Sequence, residues 1–274
     1  MRIVDTHLHL VYLDRFRYPW LDSEPPLNRQ WDWPSYWAEA SPLGIETAIH
    51  MEVDVTPREA EAETAFVLAL DHSIGGAIAQ AHPEAADFPA VLERLGANPR
   101  VKGVRRLLQG NPDELSASEG FRANVRRLGA HRLSFDLCVQ SRQLAVAAAL
   151  AAACPDVQFV LDHCGNPLIA GGDIRDWRRD LAALAKLPNI AGKISGIVNH
   201  APPGWNPETL RPAVEHVIES FGWDRVVFGS DRPVVTVNGT LTQWVEALKT
   251  IVGKAGRIEQ EKLFFRNAER IYRL

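Results

Sequence analysis

Eight short segments dense in Val, Ile, Leu and Phe recur along the chain, near 2–7, 45–52, 73–80, 101–106, 133–139, 157–163, 189–195 and 224–231. Most are followed by a stretch in which apolar residues stand three and four apart: Pro57 to Leu70, Phe88 to Leu95, Glu119 to Leu128, Ser141 to Ala153, Ile174 to Leu187 and Pro207 to Phe221. Buried strands alternating with helices imply a parallel sheet, because a parallel neighbour is reached only by a crossover, which the helix supplies. Eight such units in 274 residues predict an α/β chain folded as one closed (β/α)8 TIM barrel, a single domain over 1–274. An open doubly wound sheet is the competing arrangement, but no GxGxxG or phosphate loop follows any strand.

Two stretches fall outside the repeat. Residues 12–36 carry Trp20, Trp31, Trp33, three of the four tyrosines and four prolines, too long for an ordinary strand-to-helix loop and too aromatic for a solvated linker. They are read either as a binding loop over the first strand or as a seal against a partner subunit, which leaves a homo-oligomer open. The second stretch, Val198 to Pro207 with His200 and Trp205, is a candidate pocket rim.

In a barrel of this kind the active site lies at the carboxyl ends of the strands, so the residues that fall there are the ones to weigh. His7 and His9 end the first strand as a His-x-His pair, which extended backbone places on one side, able to close on one metal ion or one carbonyl oxygen. Glu52 and Asp54 end the second, Arg105 and Arg106 the fourth, Asp162 and His163 the sixth, Lys193 the seventh and Asp231 the eighth. Each alone has an ordinary structural explanation: Asp54 or Asp162 as a helix cap, Arg106 in a surface pair, His163 as a hydrogen-bonded core residue. Together they are harder to explain structurally, because burying many polar groups at one end is costly unless they serve each other or a ligand. Strand alternation allows only one of Arg105 and Arg106 to face the interior.

Composition narrows the partners. A net charge of −4 gives no electrostatic footprint for nucleic acid or an anionic membrane. The longest apolar run, Leu144 to Cys154, is too short to span a bilayer, and the first residues lack the pattern of a signal peptide. Three cysteines, Cys138, Cys154 and Cys164, at irregular spacing argue against a disulfide framework and fit a reducing cytoplasm, the expected location.

Four strand-end motifs carry a resemblance. Val4-Asp5-Thr6-His7-Leu8-His9, Val160-Leu161-Asp162-His163-Cys164-Gly165-Asn166-Pro167, Asn189-Ile190-Ala191-Gly192-Lys193-Ile194-Ser195-Gly196 and Val226-Val227-Phe228-Gly229-Ser230-Asp231-Arg232-Pro233 resemble the amidohydrolase superfamily, specifically its amidohydrolase-2 branch of sugar-lactone and muconolactone-type hydrolases. The match runs on to Asn267-Ala268-Glu269-Arg270-Ile271-Tyr272.

The resemblance implies a hydrolase that opens a lactone by attack of water on the carbonyl, with Asp231 as the general base. His7, His9 and His163 would polarise the carbonyl directly, or with Asp231 would hold a single zinc-like divalent ion; both metal-bound and metal-free members belong to the branch. Lys102 precedes the end of the fourth strand, where binuclear relatives carry a bridging lysine, so at most one metal is expected. Glu52, Arg105, Arg106, Lys193, Trp20, His200 and Arg232 are the candidate substrate-binding residues, with Lys193 read alternatively as a partner only of Asp162, and Glu52 as a ligand or a partner for an arginine. Arg232 stands where relatives often have Trp. An arginine grip would favour a carboxylated lactone, and Trp, Glu and Lys contacts a neutral aldonolactone. A metal-dependent decarboxylase of the same barrel type and a non-catalytic sugar-acid binding protein are the alternative readings.

Overall fold

The computed structural model describes residues 1–274. Eight strands form one parallel sheet in chain order: β1 (Ile3–Leu8), β2 (Ile45–Met51), β3 (Ile74–Gln80), β4 (Val101–Arg105), β5 (Ser134–Leu137), β6 (Phe159–Leu161), β7 (Ile190–Ile194) and β8 (Val226–Phe228). The ring closes just beyond β8. There the Asp231 N–H donates to His7 O at 2.8 Å and the His9 N–H donates to Arg232 O at 2.8 Å, and Leu8 bridges Arg232 in parallel. Inside, Val4, Ile49, Met51, Ile78, Val160, Ala191 and Val227 form the apolar filling, while the strands' outward residues pack under the helices. Full burial of a Val, Ile or Leu side chain stabilises by about 1.5–3 kcal/mol, so this double layer holds the strand ends rigid.

The helix Asn267–Tyr272 plugs the amino-terminal end of the barrel. Asn267 Nδ2 donates to Trp223 O and Val226 O, and Ile271 and Tyr272 join the interior filling. Lys102 Nζ is bonded at this end to Pro99 O and Arg273 O, away from the chemistry.

The predicted helices are present with trimmed ends: Ala60–Leu68, Phe88–Gly96, Glu119–His131, Leu144–Ala153, Arg175–Leu184 and Pro207–Phe221. A further helix, Leu241–Ile251, completes the eighth unit, begun by Thr240, whose side chain accepts from Gln243 N. Strands β5, β6 and β8 are shorter than the apolar runs that announced them, because the residues beyond leave the ladder to build the site. The aromatic segment folds onto its own barrel: Tyr12, Tyr18, Trp31 and Tyr36 are buried, and its last residues start the helix Trp33–Ala40, capped by Asp32.

Candidate active site

At the carboxyl end of the barrel a cavity of about 370 Å³ is lined by His9, Trp20, Asp54, Arg105, Cys138, His163, Asn166, Asn199, His200 and Asp231, among others. Its floor is made by both ends of the chain. The β1–β2 register shifts between Asp5 and Leu8, an irregularity of the kind that re-aims side chains near active sites. His7 and His9 consequently meet ring to ring, Nε2 to Nε2 at 3.1 Å. Asp231 Oδ1 lies 3.7 Å from His7 Nε2 and 3.8 Å from His9 Nε2.

The hydrogen bond behind His9 fixes which of its nitrogens carries the proton. His9 Nδ1 sits 3.0 Å from Met51 O, and a carbonyl only accepts, so Nδ1 is the donor and the lone pair of a neutral His9 is on Nε2. His7 Nδ1 faces two groups that ask opposite things of it, the Asp162 carboxylate at 3.4 Å and the Lys193 ammonium at 3.4 Å, so these contacts do not single out its tautomer. Burial holds both imidazoles well below their ordinary pKa, so both are neutral. The His9 lone pair, the His7 Nε2 and an Asp231 carboxyl oxygen therefore converge with no side-chain cation between them. This donor set suits a zinc-like divalent ion, with Asp162 orienting His7 from behind. Asp162 Oδ1 is buried between that ring, at 3.4 Å, and the Lys193 ammonium, at 2.9 Å.

His163 is held differently. Its backbone N–H donates to Ser195 Oγ at 3.3 Å, and the Ser195 hydroxyl lies 3.0 Å from Nδ1. The Ser195 hydroxyl can donate to Nδ1 or accept from it, so it positions the ring without choosing its tautomer. Burial pushes the His163 pKa down to about 3, against the pull of Asp162, so the ring is neutral. Its Nδ1 is 4.0 Å from Asp231 Oδ2; it stands outside the His7, His9 and Asp231 group but makes a second possible ligand group with His7 and Asp162. Gly196 makes this approach feasible, since a Cβ there would stand 2.4 Å from His163 Nδ1.

Backbone strain is concentrated here. Asp54, His163, Cys164, Asn166 and Asp231 all have positive φ, a conformation that costs a non-glycine residue roughly 1–2 kcal/mol. The left-handed turn at His163 and Cys164 ends β6 abruptly and swings His163 over the barrel mouth. Burial raises the Asp231 carboxyl well above its ordinary pKa, and nearby Asp162 and Asp5 add to this.

The expected substrate contacts divide. Trp20 and His200 line the cavity: the Trp20 indole donates to Val53 O at 2.8 Å, and His200 Nε2 lies 2.9 Å from Asn166 Oδ1. Of the two adjacent arginines Arg105 faces inward. Its Nε donates to Glu52 Oε1 at 2.6 Å, its Nη2 to Glu52 O at 2.8 Å, and its Nη1 lies 3.5 Å from Asp162 Oδ2. Glu52 is thus buried behind Arg105 and does not line the cavity.

Three candidates are corrected. Arg106 turns outward to Glu84 Oε1 at 2.8 Å, as strand parity requires of one of the pair. Lys193 is fully buried below the site, 2.6 Å from Asp136 Oδ2 and 2.9 Å from Asp162 Oδ1, so it cannot reach substrate. Arg232 leans away because the left-handed Asp231 reverses the chain; its guanidinium lies 4.9 Å from the centre of the Trp31 ring and its Nε 3.2 Å from Glu39 Oε2. Asp136 was not singled out from the sequence, although a single acid inside the apolar run 133–139 was a usable signal.

Comparison with known proteins agrees with this architecture. The chain is 29% identical over 248 residues to the L-fucono-1,5-lactonase of Burkholderia multivorans, covering 84% of this chain and 82% of that one. A crystal structure of an amidohydrolase from Burkholderia multivorans with bound zinc superposes with a TM-score of 0.90 at 24% identity, covering 100% of both chains. The 5-carboxyvanillate decarboxylase of Sphingomonas paucimobilis shares the fold at a TM-score of 0.71 and 14% identity, covering 100% of this chain and 99% of that one. The Amidohydrolase family model (Amidohydro_2) matches residues 4–274, and the chain belongs to that family of barrel hydrolases.

Proposed function

We propose that this enzyme opens a neutral sugar lactone by attack of water on the ring carbonyl. The observation that carries the reading is the uncompensated corner formed by His7 Nε2, His9 Nε2 and Asp231 Oδ1 at the cavity floor. Similarity to the L-fucono-1,5-lactonase supports the substrate class.

The residues take separate roles. Asp231, buried and at the cavity floor, accepts the proton of the attacking water; a general base of this kind contributes about 10²–10⁴-fold. In the tautomer with its proton on Nε2, His163 presents that N–H to oxygen, either the carbonyl as charge develops or the ring oxygen as it leaves. A divalent ion held by His7, His9 and Asp231 would polarise the carbonyl and offset the negative charge that forms on it. Asn199 Nδ2 donates to Asp231 Oδ2 at 3.3 Å and steers that carboxylate.

The neutral substrate follows from Arg105. Its charge is offset by Glu52 and Asp162, so the cavity offers no uncommitted side-chain cation for a substrate carboxylate. The test is proton release, followed with a pH indicator, from neutral aldonolactones and carboxylated lactones, with carbon dioxide release from aromatic acids assayed in parallel. Turnover of neutral lactones that falls about 10²–10⁴-fold in Asp231→Asn supports the proposal. Carbon dioxide release, or a variant with near-normal rate, refutes it.

A further inference from the structure

The cavity is lined by two acids, and the hydrolytic roles above use one of them. The other, Asp54, follows β2 in a left-handed conformation with φ of 49°. Its backbone N–H donates to Glu52 Oε2 at 2.7 Å, and Glu52 Oε1 is the acceptor for Arg105 Nε. A buried ion pair thus sets the backbone of Asp54 through one shared carboxylate. The Asp54 side chain, by contrast, is almost uncommitted. Its single polar contact is a long one, 3.5 Å from Gln80 Nε2 to Oδ1. The nearby arginines are engaged elsewhere, Arg105 with Glu52 and Asp162, and Arg106 with Glu84.

Beside it stands Trp20. Its indole N–H is spent on the carbonyl of Val53, the residue before Asp54, which pins the ring at the cavity wall and leaves no indole donor for a ligand. A strained, half-buried carboxylate without a cation, next to a fixed apolar plate, suits a ligand that brings its own hydroxyl donors and has a face of C–H bonds.

We propose that Asp54 and Trp20 form a hydroxyl-reading subsite: the Asp54 carboxylate accepts O–H bonds from ring hydroxyls while the Trp20 indole covers the apolar face of the same ring. The assignment deepens the lactonase reading and rests on it for the substrate, and it makes polyhydroxy lactones the preferred class over alkyl lactones. Asp54 is a specificity residue that touches substrate away from the bond being cleaved.

The experiment compares wild type with Asp54→Asn and Asp54→Ala on a hydroxylated six-carbon aldonolactone and on δ-valerolactone, which has no hydroxyl. The ratio of kcat/KM for the hydroxylated over the hydroxyl-free lactone is expected to fall about 10- to 100-fold in both variants, chiefly through KM. An unchanged ratio, whether both rates fall together or neither moves, overturns the subsite. A second arm needs no turnover: calorimetric binding of a 1,5-anhydrohexitol, a ring polyol without a scissile bond, to wild type and to Asp54→Asn. Binding that weakens at least about 10-fold in the variant supports the subsite even if no lactone is hydrolysed, an outcome that would remove the lactonase reading alone. No polyol binding to wild type overturns the subsite even if lactones are turned over.

Discussion

Two charged clusters lie buried one above the other in this barrel, and their chemistry is opposite. In the lower one Lys193 stands between Asp136 and Asp162, and the Tyr272 hydroxyl donates to Asp136 Oδ2 at 2.9 Å. Cation and anions answer each other there, and the Lys193 ammonium is held above its ordinary pKa by Asp136 and Asp162 despite its burial. In the upper one His7, His9 and Asp231 bring acceptors together with nothing positive among them. Equal burial therefore does not mean equal purpose. A cluster in which a cation faces its carboxylates supports the fold, and one that gathers acceptors alone suits a ligand.

The comparison breaks first at Lys193. Lys193→Met leaves Asp136 and Asp162 buried without their cation and is expected to cost about 3–5 kcal/mol in denaturant unfolding. Adding Asp136→Leu to Lys193→Met is expected to recover part of that loss. A cost below about 1 kcal/mol for the single variant would show that the lower cluster does not support the fold in this sense.

The upper cluster is sharpened by metal. Zinc at 100 times its dissociation constant is expected to stabilise the wild-type protein by about 2.7 kcal/mol, read as a rise in melting temperature, and His9→Ala is expected to lose that rise. Equal stabilisation of both proteins would place the ion elsewhere.

The smallest effect lies outside both clusters, at Glu84. His82 and Arg106 pull its pKa down to about 2, against burial. A carboxylate with a folded pKa below its unfolded one stabilises above the unfolded value, near 4.5, and loses that contribution as pH falls toward about 2. Because the group is partly exposed, Glu84→Gln is expected to cost at most about 1 kcal/mol at neutral pH, fading through this window. A cost that is the same at pH 7 and pH 2 would mean that the charge is not its source.

Strand order and the principal site were legible because both are periodic. Apolar runs of strand length, separated by helical spacing, leave little but a barrel, and His7, His9, His163 and Asp231 stand where its strands end. The fates of the long cations were legible only as alternatives for Lys193, substrate or Asp162, and not at all for Arg232. Lys193 and Arg232 have reach enough for the cavity, and only the packing shows that a buried carboxylate captures one and that the left-handed turn at Asp231 sends the other toward Glu39. Asp54 read as a helix cap because its exposure to the cavity depends on a backbone bond to Glu52 that no spacing announces. The helix Leu241–Ile251 was within reach of the sequence, since Thr240 caps it and Leu241, Trp244, Val245 and Leu248 keep the period.

The His-x-His pair comes from β1 and Asp231 from just beyond β8, so the three donors are assembled by the contact that joins the two ends of the sheet. Capture of an ion there, as the proposed function has it, would also be a clock for folding. Contacts so distant in sequence form late, after the entropy of the long loop has been overcome. During synthesis this corner stays incompetent until the eighth strand has joined the first. A metal-sensitive signal in refolding would time that closure directly, separately from the formation of the helices.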